Sequence, residues 1–263
     1  MRLLALALAW LSSTAWADDV GEAPARLGGL DRIAEAIGTP IVVRTADLRV
    51  ETPHGPITAN PAGEGLEDFS ALLAEELAIY PRPLLKRARL KRIVLASELA
   101  FDGQLRGAIP DYAHDVLYYD VARGSYSRSY QRTAIHHEFF HVVDYLDDGQ
   151  VYRDDAWAAL NPDGFHYGDG GRAMQEDALV SLLVADHPGF LTRYATAGVE
   201  EDKAEVFSRM IVAPREVARR AALDPVLAAK VRRIKTLMKN FEPAVDDAFW
   251  KRVGDREPGP KQR

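Results

Sequence analysis

His137-Glu138-Phe139-Phe140-His141 is the stretch of this chain whose residue types and spacing combine into a reaction centre. On a helix, two histidines at i and i+4 lie one above the other on the same face. Their imidazoles can therefore grip a single zinc ion from one side. Glu138 projects beside them, where it can take a proton from a metal-bound water. Ile135, Val142, Val143 and Leu146 supply apolar contacts for burying that helix.

A catalytic zinc needs a third protein ligand and an open fourth position. One arrangement places the ligand six residues after the second histidine, at Asp147 here, but needs glycine midway to let the chain turn back. Asp144 stands at that midway position. A second arrangement uses a Gly-Thr-x-x-Asp loop, which the chain lacks. A third takes a glutamate from a separate downstream helix. Glu201-Asp202-Lys203-Ala204-Glu205 offers two carboxylates at i and i+4, 60 residues after His141, within an apolar pattern of Val206, Phe207, Met210 and Ile211. Either glutamate is a candidate, and a solvated charge run is the plain alternative.

An HExxH followed by a glutamate on a second helix resembles the gluzincin zinc metallopeptidases. The finer resemblance is to the lethal-factor-like branch, whose members carry a tyrosine seven residues before the ligand glutamate. They also carry a second acid four residues after it, then an apolar-Phe pair. Tyr194, Glu201, Glu205 and Val206-Phe207 occupy those positions, and Pro188-Gly189-Phe190 and Tyr194-Ala195 add to the likeness. It spans roughly Leu66 to Ile211. The resemblance implies His137, His141 and Glu201 as ligands of one zinc ion, with Glu138 as general base. It implies that Glu205 holds a ligand imidazole by its free N–H, and that Tyr194 donates its hydroxyl to the developing oxyanion. A protein or peptide substrate would lie extended along an edge strand, expected near Gly107 to Pro110. One departure is Phe139, where the family usually has a small residue. It requires Phe139 and Phe140 to pack against the sheet and the pocket wall.

The elements that must position these groups follow from periodicity. Helix is expected at Leu30–Ile37 and at Leu66–Ile79, where Leu66, Phe69, Leu72, Leu73, Leu77 and Tyr80 share a face and Pro81 stops the run. Pro40–Val50 reads as one or two strands with a turn at His54-Gly55. Arg92–Leu95 and Val116–Tyr119 are further short strands. Thr133–Leu146 is the motif helix, and helical pattern returns at Glu200–Val212 and Pro225–Phe241. Gln150–Gly171 is turn chemistry. The order gives an α+β, zincin-like expectation: a small mixed sheet packed on the motif helix, then a mainly helical C-terminal half. His136 points about 100° away from His137 around the helix and reads as structural or surface. His166 sits in a loop that could approach the cleft, with a surface residue as the default reading; Asp144 could orient a neighbouring group, with a helix-surface acid as the plain alternative; and His54, His114 and His187 lack any partner pattern.

Composition narrows the function further. With 47% apolar and 27% charged residues the chain is globular rather than disordered. A net charge of −6 argues against nucleic acid as the main partner. Arg2, the apolar run Leu3–Leu11 and Ala15-Trp16-Ala17 have the form of a cleavable signal peptide covering residues 1–17. That run is too short to span a bilayer, so no stable membrane insertion is expected. A product without cysteine, periplasmic or secreted, fits this reading. Residues 18–29 would form a loose leader, residues 30–255 one metallopeptidase domain divided near Gly149, and residues 256–263 a disordered tail. The rival readings are an exported zinc-binding protein without activity, and a non-peptidase zinc hydrolase on the same scaffold.

Overall fold

The computed structural model describes residues 21–168, 170 and 187–256. The predicted signal peptide, most of the Gly-rich segment after Gly168 and the C-terminal tail lie outside them. Strands are β1 (Glu22–Pro24), β2 (Ile41–Arg44), β3 (Leu48–Thr52), β4 (Gly55–Asn60), β5 (Arg92–Phe101), β6 (Gln104–Leu105), β7 (Ala108–Asp111) and β8 (Val116–Asp120). Helices are α1 (Leu30–Ile37), α2 (Leu66–Leu77), α3 (Arg82–Arg87), α4 (Arg128–Asp148), α5 (Asp155–Ala158), α6 (Val199–Val212), α7 (Pro214–Ala221), α8 (Pro225–Phe241) and α9 (Asp247–Arg256). A 3-10 turn at Tyr194–Thr196 precedes α6. This is the expected α+β arrangement, a mixed sheet followed by a helical half.

The sheet turns on β5, which is longer than its apolar core Arg92–Leu95 suggests. Its first half pairs in parallel with β2 and β8, and its second half pairs antiparallel with β4 and β6. Glu98 adopts a left-handed φ of 49° between the two halves, and the register with β4 shifts at the same place. One extra residue at such a bulge bends the strand from one layer into another. The Asp120 carboxylate fixes the bend by accepting from the Leu99 amide at 3.0 Å. Its other oxygen accepts from the Ala122 and Arg123 amides, both at 2.9 Å, and starts the chain toward α4.

A short helix, α5, interrupts the expected turn segment Gln150–Gly171, and two strands also differ from expectation. Residues 22–24 of the supposed leader form β1 and pair antiparallel with β2, because extended backbone at an open sheet edge gains hydrogen bonds by pairing. The segment after the first two strands is a third strand, β4, which completes a hairpin with β3. β7 pairs with β8 on one side, and no second described strand pairs with it. It is the edge at the position expected for substrate.

α4 begins at Ser127, whose hydroxyl accepts from the Tyr130 amide at 3.2 Å, and ends at Gly149, in left-handed conformation with φ 78°. Capping of both kinds satisfies end groups that a helix leaves open. The helix lies in the core: Ile135, Phe139, Phe140 and Val143 are buried. Phe139 packs on Tyr80 with ring centroids 4.7 Å apart, and Phe140 packs on Phe207 of α6 at 4.8 Å. Their ring partners thus lie just after α2 and on α6, and neither phenylalanine lines the cleft, which differs from the packing expected on the pocket wall. Among the described residues no helix is long and apolar enough to cross a membrane.

Candidate metal centre

α4 presents His137 and His141 toward the first turn of α6, which presents Glu201. One ligand atom from each of these three residues lies within 4.8 Å of the others. His137 Nε2 is 2.9 Å from Glu201 Oε2 and 3.1 Å from His141 Nε2, and His141 Nε2 is 3.6 Å from the same carboxylate oxygen. A tetrahedral zinc with ligand bonds of about 2.1 Å holds its ligand atoms about 3.4 Å apart. The observed separations are within about half an ångström of that value. Two facing imidazole nitrogens cannot both carry protons across 3.1 Å. The convergence of lone pairs and a carboxylate on one point is therefore chemistry that suits a cation.

Electrostatics agree. Burial opposes ionisation of Glu201, yet its hydrogen bonds with His137 and His141 outweigh that and hold its carboxyl well below the ordinary range. Burial also opposes charging of His137, but carboxylates sit on both its nitrogens. Glu201 is at Nε2 and Glu205 at Nδ1, 3.1 Å away, and together they favour positive charge at the ring. A divalent ion would satisfy the same field in place of the Nε2 proton.

Glu205 is held in turn by the Thr192 hydroxyl, which donates to Oε2 at 2.8 Å. Burial raises the Glu205 carboxyl, but His137 and Arg209 bring it below its usual value. Tyr194 donates its hydroxyl to Glu201 Oε1 at 2.9 Å, and its ring lies 5.9 Å from that of His137. Glu138 is half-buried and faces an open cleft of roughly 690 Å³ that also borders His141, Tyr194 and Glu201. Burial pushes its carboxyl up, and the nearby Glu201 adds to that, while His137, His141 and Arg106 oppose it.

The remaining candidates separate clearly. α4 runs unbroken through Asp148, so Asp147 stays exposed and outside the ligand cluster. His166 is exposed and does not line the cleft. His136 is fully buried between Glu76, 2.8 Å from Nε2, and the Tyr80 hydroxyl, 2.7 Å from Nδ1. Asp144 is not a helix-surface acid: it is buried and paired with Lys203. Glu200 to Glu205, open to reading as a solvated run, is buried throughout.

Sequence reasoning missed several groups. Thr192 carried no signal. His54, at the β3–β4 turn, lines the cleft together with Thr52 and Pro53. Tyr112 and Tyr145 line the same cleft with ring centroids 4.6 Å apart. Of these, Tyr145 alone had a readable clue: it follows His141 by four residues and so shares its helix face.

Comparison with known proteins points the same way. A family model described as "Putative zinc-binding metallo-peptidase" matches residues 91–240, which include both helices that carry the candidate ligands. A solved structure with the same description, from Bacteroides caccae, is similar in fold with a TM-score of 0.56. It is 19% identical, over 87% of this chain and 89% of that one. No curated protein matches. Because the family match takes in more than half of the 263 residues, the chain belongs to this zinc-binding metallo-peptidase family.

Proposed function

We propose that the chain is an exported, zinc-dependent peptidase of gluzincin type, close in plan to the lethal-factor-like branch. The observation that carries this is the convergence of His137, His141 and Glu201 on one point, with His141, Glu201 and Glu138 bordering an open cleft. Zinc held by these three residues supplies Lewis acidity toward a water molecule and a substrate carbonyl. Glu205 accepts the His137 Nδ1 proton and so leaves Nε2 free for the ion. Glu138 takes a proton from the attacking water onto its carboxylate and delivers it to the leaving amine. Burial raises that carboxyl, which makes it the stronger base for the first half of the task.

Tyr194 presents its hydroxyl at the cleft beside Glu201, and in this role it turns from that carboxylate to the oxyanion of the reacting carbonyl. The peptide lies along the edge of β7 that no described strand pairs, adding itself to the sheet. Pro110 lacks an N–H, so pairing there rests on the neighbouring residues. Residues 1–17 direct export and are removed, and the catalytic unit takes in β1 together with residues 30–255. The open cleft, with no fourth ligand among the described residues, favours hydrolysis over a structural zinc site.

The test is elemental analysis of the chain from Asp18 onward, beside Glu201→Ala and Asp147→Ala, with digestion of an unfolded protein and Glu138→Ala as the control. Near-stoichiometric zinc that falls only with Glu201→Ala, and cleavage that needs Glu138, is the expected result. Zinc that depends on Asp147 would overturn the ligand set. Cleavage that survives Glu138→Ala would overturn the mechanism.

A further inference from the structure

Glu201 belongs to a run in which successive charged side chains are buried, and the metal reading uses only Glu201 and Glu205. Lys203 is 2% exposed and Asp144 is 3% exposed. Lys203 Nζ lies 2.8 Å from Asp144 Oδ1 and 2.7 Å from Oδ2. Asp144 follows His141 by three residues on α4, and Lys203 follows Glu201 by two on α6. The pair therefore joins the two helices that bring the metal ligands together, within one turn of a ligand on each. Asp154, 3.8 Å from the same Nζ, is engaged elsewhere: it accepts from Arg233 at 3.0 Å and caps α5.

Burying two charges costs more than packing two apolar side chains of similar volume, and such pairs are weak sources of stability. What they supply is direction and length. An ammonium hydrogen-bonded to one oxygen of a carboxylate and within ion-pair distance of the other holds two backbones at a set separation, whereas apolar side chains slide. We infer that Lys203 and Asp144 are positioning residues, a buried clamp that sets the α4–α6 spacing so that His137, His141 and Glu201 meet at ligand distance. This rests on the metal reading above and adds to it the device that fixes the geometry.

The test measures zinc affinity by chelator competition and the visible absorption spectrum of the cobalt-loaded protein, on the full mature chain. The variants are Lys203→Met, the double change Lys203→Met with Asp144→Leu, and Lys203→Arg. Leu99→Ala, a truncation in the sheet core away from α4 and α6, controls for lost stability. The double variant carries no unpaired buried charge and is expected to unfold near the wild-type denaturant midpoint. Even so, it is expected to bind zinc on the order of tenfold more weakly, with shifted cobalt bands, as for other groups that orient ligands from outside. Lys203→Arg, which keeps the charge at a different reach, should fall between. Leu99→Ala should lose stability and keep wild-type affinity. A double variant with wild-type affinity and spectrum overturns the inference, as does Leu99→Ala weakening zinc equally. Wild-type protein that takes up no zinc overturns the site reading as well, which separates the two failures.

Discussion

Glu76 offers a sharp test of the packing behind the motif helix. It is 1% exposed and accepts from Arg132 Nε at 2.7 Å and from His136 Nε2 at 2.8 Å. Burial alone would raise its carboxyl, but hydrogen bonds and charge from His136 and Arg132 outweigh that and bring it from 4.5 to about 2. Burial pushes His136 down while Glu76 opposes that, and its two ring nitrogens are held by Glu76 at 2.8 Å and the Tyr80 hydroxyl at 2.7 Å. A carboxyl with a depressed pKa stabilises the fold fully above its unfolded value and loses that contribution as pH falls through the folded one. Lowering it from 4.5 to about 2 is worth about 3 kcal/mol, at about 1.4 kcal/mol per pH unit. Urea unfolding of wild type and Glu76→Gln at pH 7, 5, 3 and 2 measures it. The variant should be the less stable at pH 7, and the gap should close by about 3 kcal/mol between pH 5 and 2. A gap that is constant with pH would refute the argument, because the carboxylate would then contribute no more charged than neutral.

Three further outcomes follow from the site and its supports. Glu205→Ala removes the carboxylate on His137 Nδ1 and should weaken zinc about 10–100-fold in chelator competition, with cleavage falling in step at limiting metal. Tyr194→Phe should lower kcat by about 10²-fold at unchanged zinc content if its hydroxyl meets the oxyanion; an unchanged kcat assigns it to Glu201 alone. Gly124 has φ 76°, and a Cβ there would sit 2.1 Å from the Tyr130 ring, so Gly124→Ala should cost roughly 2 kcal/mol or more in denaturant unfolding, through strain at the entry to α4.

How far the chain could be read in advance depended on where each feature's cause lies. α2 was expected over Leu66–Ile79 and spans Leu66–Leu77, and the expected Pro225–Phe241 is α8 to the residue, because an apolar stripe at 3.6 spacing is a local signal. α4 was found by its motif rather than by a stripe. A helix buried on most sides has little amphipathic contrast, and its true start at Arg128 lay earlier than its apolar residues implied. The second half of β5 was missed because its bend at Glu98 is set by pairing with β4 and by Asp120, neither of which is near it in sequence.

The same division runs through the site. His137, Glu138 and His141 could be read from spacing because the helix itself puts residues four apart on one face, whatever surrounds it. Glu201 and Glu205 stood out as candidates but could not be told from a solvated charge run, since local composition does not say which face will be covered. The packing of α6 on α4 settled that. It buried Glu201 beside two imidazoles, placed Glu205 behind His137, and brought Lys203 to Asp144 across 59 residues of chain. Ligand spacing within one helix is a property of the backbone. The spacing between two helices is a property of everything packed between them, and only the folded chain contains it.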